Sequence, residues 1–255
     1  MNAEPSSQTS NVTEAAVRLQ VAACYRLIHL YGLSDFTDGF VSARIPSEPR
    51  HVIVGGYGLS PELAGASGLH KRSLDVEPEL EKFVGVDIDA INFTKTVLDA
   101  RPTFNACIHA HPRYGIALSA VDLELEPMSQ WGIMYHGLVR YLPFETTDVT
   151  AEESCVHIGA ASRNGAEALI MRNHGFLVGG RTIQQALFTL HRLELACQLQ
   201  LDAIQTGLPR TMPSPKQARE LREAYWTMTR VDNDGTREWP GLMAKLDRLD
   251  RSYRD

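Results

Sequence analysis

Short apolar runs of strand length alternate along this chain with longer segments of helical period. That alternation restricts the fold more than any other feature. Residues 12–33 place Val17, Val21, Cys24, Leu27, Ile28 and Tyr31 at helical spacing, with Gly32 as the stop. FTDGFVSARIP alternates up to Pro46, and HVIVGG closes on the Gly55-Gly56 pair, so both read as strands. Residues 57–87 are loop-rich, with one short helix expected. Residues 89–100 set Ile91, Thr94, Lys95 and Leu98 on one helical face, ended by Arg101-Pro102. NACIHAH reads as a strand leading into a helical PRYGIALSAVD. Residues 130–145 read as strand–turn–strand, and EESCVHIGAASRN as a helix. AEALIMRNHGFLVGG reads as an apolar hairpin turning at Asn173-His174-Gly175. The clearest helix starts at Thr182 and stops at Gly207, with a broad apolar stripe. A Pro-punctuated linker (LPRTMPSPKQ), a polar helix and a charged tail (GLMAKLDRLDRSYRD) follow. Interleaved strands and helices predict the α/β class, and the hairpin-like pairs predict a sheet that is at least partly antiparallel.

Composition sets the limits. A hydrophobic fraction of 44% against 22% charged residues allows a sizeable core and excludes disorder for most of the chain. The net charge of −6 argues against nucleic acid or an anionic membrane surface as the main partner. No apolar run reaches the ~18 residues of a membrane span. The polar start, MNAEPSSQTSNVTEAA, reads as a short disordered lead over residues 1–12 rather than a signal peptide. Cys24, Cys107, Cys155 and Cys197 are scattered without CxxC spacing, which predicts reduced thiols and a cytoplasmic protein.

Of the nine histidines, three stand out. His109 and His111 lie two apart on a predicted strand, so their side chains leave the same face and can chelate one ion. His174 occupies a tight turn at the end of an apolar strand, where an ordinary core residue is unexpected. Three neutral imidazoles around Zn²⁺, Mn²⁺ or Fe²⁺ would leave a coordination position open for substrate.

The segments GFVSARIP, ARPTFNACIHAHPRYGIALSA and LIMRNHGFLVGGRTIQQALFTLHRLELACQLQ resemble the class II aldolase/adducin superfamily, and the tail EWPGLMAKLDRLDRSYRD is similar to that of its adducin-like branch. The resemblance implies a three-layer αβα sandwich around a mostly antiparallel sheet, with the family domain over residues 13–210. It implies that residues 211–255 form a helix and tail packing on that domain or on a neighbouring subunit. It also implies a homotetramer with interfacial active sites. By motif match, His109, His111 and His174 carry over as the metal ligands, around a metal that stabilises an enediolate of a hydroxy-carbonyl substrate.

The chain departs from that pattern. Aldolase members carry a Glu acid/base eleven residues before the Arg of the RP pair, and here that position is Ala90. Asp87 and Asp89 are the nearby carboxylates, with Asp89 the candidate acid/base. Where sugar-phosphate aldolases have an Asn in a GNxS segment, this chain has Gly39-Phe40-Val41-Ser42. Ile88 and Asp89 replace phosphate-holding serines, which makes a phosphosugar a poor substrate. The places of further His residues in the adducin-like branch hold Thr94 and Leu98.

Tyr114, Tyr135 and Tyr141 are candidate proton donors, of which Tyr135 is the first choice. Phe40 and Ser42 are candidates for contact with substrate. Arg44 could fork onto a substrate carboxylate, and Arg113 is similar. Gln130, after Ser129, matches a family position at the pocket mouth, and Tyr253 could reach a neighbour's site. The reading favoured on these grounds is a metal-dependent lyase acting on a small hydroxy-acid or hydroxy-carbonyl compound, as a decarboxylase or an aldolase. The alternatives are a non-haem iron(II) oxygenase on the same three-His site and a non-catalytic, adducin-like oligomerisation module.

Overall fold

The structure is a computed structural model that describes residues 12–75, 85–143, 151–229 and 234–255. The expected disordered lead lies, apart from Val12, outside the described residues. The eight described α-helices are α1 (Glu14–Leu30), α2 (Ile88–Ala100), α3 (Arg113–Ser119), α4 (Gln130–Tyr135), α5 (Ala151–Arg163), α6 (Ile183–Gln205), α7 (Pro215–Thr229) and α8 (Trp239–Leu249). The strands are β1 (Phe40–Ile45), β2 (Glu48–Val54), β3 (His70–Ser73), β4 (Ala106–Ala110), β5 (Val139–Leu142), β6 (Ala168–Met171) and β7 (Gly175–Gly180).

They form one seven-stranded sheet in the order β3-β2-β1-β4-β7-β6-β5. Every pairing is antiparallel except β5 with β6. Strand alternation divides the core in two. Val41, Ala43, Ala106, Ile108, Phe176 and Val178 face α1 and α6. Phe40, Cys107, Leu169 and Leu177 face α2 and α5. The result is helix, sheet, helix in three layers: the α/β class that the interleaved pattern predicts, in the sandwich that the family resemblance implies.

Local chemistry sets the element ends. Thr13 and Thr182 cap α1 and α6, their hydroxyls accepting from Ala16 N and Gln185 N at 3.3 and 3.1 Å. Such a cap contributes about 1 kcal/mol. The β6–β7 hairpin turns through Arg172-Asn173-His174 as expected, with Asn173 in the left-handed region at φ 59°.

One expectation needs correction. Residues 130–135 are helical rather than extended, because Ser129 accepts the Gly132 N–H and starts a short helix. Among the described residues of that stretch, only Val139–Leu142 is a strand. The charged tail packs against the rest of the chain. It carries α8, whose Leu246 is buried, and it is tied to α1 by Arg26, which bonds Asp250 at 3.0 Å and Ser252 Oγ at 2.7 Å. In the loop-rich stretch the described residues hold two single 3-10 turns, Pro61–Leu63 and Ala66–Gly68. The edge strand β3, of sequence HKRS, has no hydrophobic alternation to announce it. No helix among the described residues is long and apolar enough to cross a membrane.

Candidate metal centre

β4 lies between β1 and β7, and its register places the three singled-out histidines together. His109 pairs with Phe40 on one side and Leu177 on the other, and Ala110 pairs with Phe176. The turn that precedes β7 therefore lies beside the end of β4, which brings His174 against His111. One nitrogen from each of the three rings lies within 4.8 Å of the other two. The ring centroids of His109, His111 and His174 are 4.7–4.9 Å apart in every pair.

The close approach depends on glycine. An added Cβ on Gly175 would lie 2.5 Å from the Ala110 carbonyl oxygen and 2.7 Å from Cδ2 of His111. Gly39, at φ +95°, would bring one within 2.6 Å of the His109 carbonyl oxygen.

The tautomer of His109 follows from its partner. Nδ1 lies 2.9 Å from the Phe176 carbonyl, which can only accept, so Nδ1 carries the proton and Nε2 keeps its lone pair. That Nε2 is 3.0 Å from His111 Nε2. The other nitrogen of His111, Nδ1, faces Asp35 Oδ2 at 4.0 Å. Burial, then the neighbouring His111 and His174, push His109 down to about 3, against a weaker opposing effect of the Phe176 carbonyl. His111 is lowered by burial and by His174, while Asp38 and Asp35 oppose. Both rings are thus neutral near pH 7 and have lone pairs to share. A divalent cation fits this donor set, in which the far nitrogen of His109 is oriented by the Phe176 carbonyl.

The imidazoles line a cavity of about 290 Å³. Phe40 and Phe93 flank His109, with ring centroids 5.7 and 6.3 Å away. Asp87, Asp89 and Ala90 line it from the start of α2, and Asp38 from the loop before β1. At Ala90, where the resemblance implies a Glu in aldolases, a buried methyl stands.

The other sequence candidates divide. Phe40 and Asp89 line the cavity. Ser42 does not; it is fully buried, 2.7 Å from Thr94 Oγ1, and donates to the Cys107 carbonyl at 3.2 Å. Arg44 lies two residues farther along β1 and donates to the Pro49 carbonyl. Gln130 is exposed on the first turn of α4, away from the cavity. Tyr135 is buried in the opposite core layer, its ring 6.2 Å from Trp226, and burial pushes its pKa up. Tyr253 is wholly buried in its own chain and donates to Asp247 Oδ1 at 2.7 Å, so its hydroxyl is not presented to a neighbour. Tyr114 and Tyr141 pack at the edge of that same opposite layer.

Three site residues escaped the sequence reading. Asp35 and Asp38 were hidden in a loop, although the pairing of Phe40 with His109 puts residues before Phe40 alongside those after His109. Tyr25, on α1, lines the cavity with its hydroxyl accepting from Val41 N at 2.9 Å. Its helical spacing from Val21 and Ile28 marks only a core position. Phe36, in the same loop as the two aspartates, is 91% exposed and held in the left-handed region at φ 43°.

Comparison with known proteins agrees with this geometry. The profile of the class II aldolase and adducin N-terminal domain matches residues 19–201. The chain belongs to the class II aldolase and adducin family. A class 2 aldolase-type protein of Caulobacter vibrioides is 30% identical over 253 residues, covering 98% of this chain and 96% of its own length. Human gamma-adducin is 27% identical over 208 residues, which is 80% of this chain but 29% of gamma-adducin. The crystal structure of an aldolase II superfamily protein from Pseudomonas syringae superposes with a TM-score of 0.81 at 30% identity, covering 95% of this chain and 96% of that one. In this class II aldolase and adducin member, the HxH pair stands at the end of β4 and the NHG turn leads into β7.

Proposed function

We propose that this protein is a metal-dependent lyase that breaks a C–C bond in a small hydroxy-acid or hydroxy-carbonyl substrate, by decarboxylation or retro-aldol cleavage. The observation that carries the reading is the convergence of His109, His111 and His174 at one cavity, with at least two rings held neutral. A Zn²⁺, Mn²⁺ or Fe²⁺ ion held there would supply Lewis-acid stabilisation of the charge that develops as the bond breaks, worth several kcal/mol. The chain's own groups do the rest. Phe40 and Phe93 cover the His109 side and limit water. Ala90 removes the aldolase base, so proton movement falls to a carboxylate of the cavity wall, with Asp89 the nearest replacement in sequence. Decarboxylation leads among the reactions because loss of CO₂ needs an electron sink but no base to start it.

The retained set of three converging imidazoles disfavours a module with no chemistry at this place. We further propose a homotetramer in the cytoplasm. Phe36 and Tyr57, 91% and 79% exposed near the cavity, supply apolar surface for a subunit contact. The buried thiols Cys24, Cys107 and Cys197 accord with a reducing compartment.

The test is metal analysis of protein purified without added metal, with His109→Ala and His174→Ala in parallel. Wild type should hold about one divalent ion per chain, and each variant should lose it with its circular dichroism unchanged. Release of CO₂ or aldehyde from a panel of hydroxy-acids without oxygen is the expected activity. Oxygen consumption in its place would support the iron oxygenase reading, and activity that survives His109→Ala would overturn the site.

A further inference from the structure

The wall of the cavity has a sign. Asp38, Asp87 and Asp89 line it, and no lysine or arginine does so among the described residues. These three carboxylates give the wall beyond the imidazoles its negative sign. The start of α2 is the place where an anion would otherwise be expected, since a helix of 13 residues brings unpaired N–H groups and the positive end of its dipole to the cavity. Here that end is occupied from within. Asp87 caps the helix, and its Oδ1 accepts the Asp89 N–H at 3.0 Å, an amide that a phosphate would need. Two carboxylates in one turn outweigh the roughly half charge of a helix end. Aromatic rings share the wall with these carboxylates, Phe40 and Phe93 beside His109 and Tyr57 at the exposed rim. Carboxylates combined with aromatic faces are the recognition chemistry of an organic cation.

We infer that this cavity selects a substrate with a chelating hydroxy-carbonyl head and an ammonium group at its other end, and rejects phosphate-bearing substrates through Asp38, Asp87 and Asp89. The head-group half rests on the metal-centre reading above. The tail half rests on the charge and aromatic surface of the wall.

The experiment uses the whole chain and three α-hydroxy acids with the same head: 4-amino-2-hydroxybutanoate, 2-hydroxypentanoate and 2-hydroxy-4-phosphonobutanoate. Co²⁺ binding is measured first by equilibrium dialysis, and each acid is then titrated against the visible spectrum of the Co²⁺ protein. The ammonium compound should bind at least tenfold more tightly than the phosphonate, with the uncharged acid between them. The gap should narrow in 0.5 M salt and in Asp38→Asn and Asp89→Asn, two exposed positions where the substitution keeps the side-chain shape. Equal affinities, or a preference for the phosphonate, would overturn the inference while leaving the metal centre standing. Absence of bound Co²⁺ would overturn the metal centre instead. The same three acids titrated calorimetrically into the metal-free protein would then decide the tail preference alone.

Discussion

Gly175 has no room for a side chain, and the reason is the site itself. Its Cα stands so close to the end of β4 that a methyl group would press on both the Ala110 carbonyl and the His111 ring. Gly175→Ala should therefore destabilise the protein by about 1–3 kcal/mol in urea unfolding. It should also weaken metal binding by about tenfold or more in dialysis, because the ring that moves is a proposed ligand. A variant with wild-type stability and affinity would show that the packing here is looser than described. The three histidines were legible in the chain because each stands in a short motif whose local geometry dictates its direction: alternation on a strand for two, a tight turn for the third. Tyr135, Tyr253, Ser42 and Arg44 were not. A tyrosine or serine on an element can face either a cavity or a core, and only packing chooses. Tyr253 faces the core, and Tyr25, which was passed over, borders the cavity.

Helix α3 follows directly from the His109–His111 segment, and its first turn is held by a residue from the middle of α6. Glu194 on α6 accepts from Tyr114 N and Gly115 N, both at 2.8 Å. Burial raises its pKa, opposed by those two amides, so the charged form is disfavoured even as it satisfies two donors. Glu194→Ala should cost about 1–2 kcal/mol, toward the low side of the range for two orphaned buried amides because a buried charge is also removed. Glu194→Gln should recover part of that loss, since its amide oxygen can still accept. Thermal unfolding of the pair checks this, and equal melting temperatures for Ala and wild type would refute it. The C-terminal tail shows a second coupling. Arg254 and then Tyr253 lower Asp247 from an ordinary 3.8 to about 2. Its folded-state pKa lies below that of the unfolded chain, so the stabilisation is present above about pH 4 and is lost as the pH falls toward 2. Protection of amides 239–255 against hydrogen exchange, corrected for intrinsic rates, should drop across that window. Asp247→Asn should show low protection already at pH 6. The first coupling could not be read from spacing, because Glu194 and Tyr114 stand 80 residues apart. The short helix α4 was misread for a related reason: Trp131, Ile133 and Tyr135 have strand propensity, and the Ser129 cap outweighed it.

At the scale of the whole molecule, the exposed aromatic residues near the cavity predict association. Sedimentation at micromolar concentration should show a species of roughly four times the 28.3 kDa chain mass. Phe36→Asp should shift it toward smaller species, and a wild-type protein that sediments as a monomer would sink the proposal. The class of fold, the interleaved order of its elements and the three candidate ligands were written in the chain, because hydrophobic period and turn chemistry act over a few residues and survive out of context. The placement of the edge strand β3, the parallel pairing of β5 with β6, the arrival of Asp35 and Asp38 beside His111, and the acidic character of the cavity came only with the fold. Each depends on register between segments distant in sequence, and register is a property of the packed sheet as a whole: shifting β1 by one residue against β4 would turn Phe40 to the other layer and take Asp38 out of reach of the imidazoles.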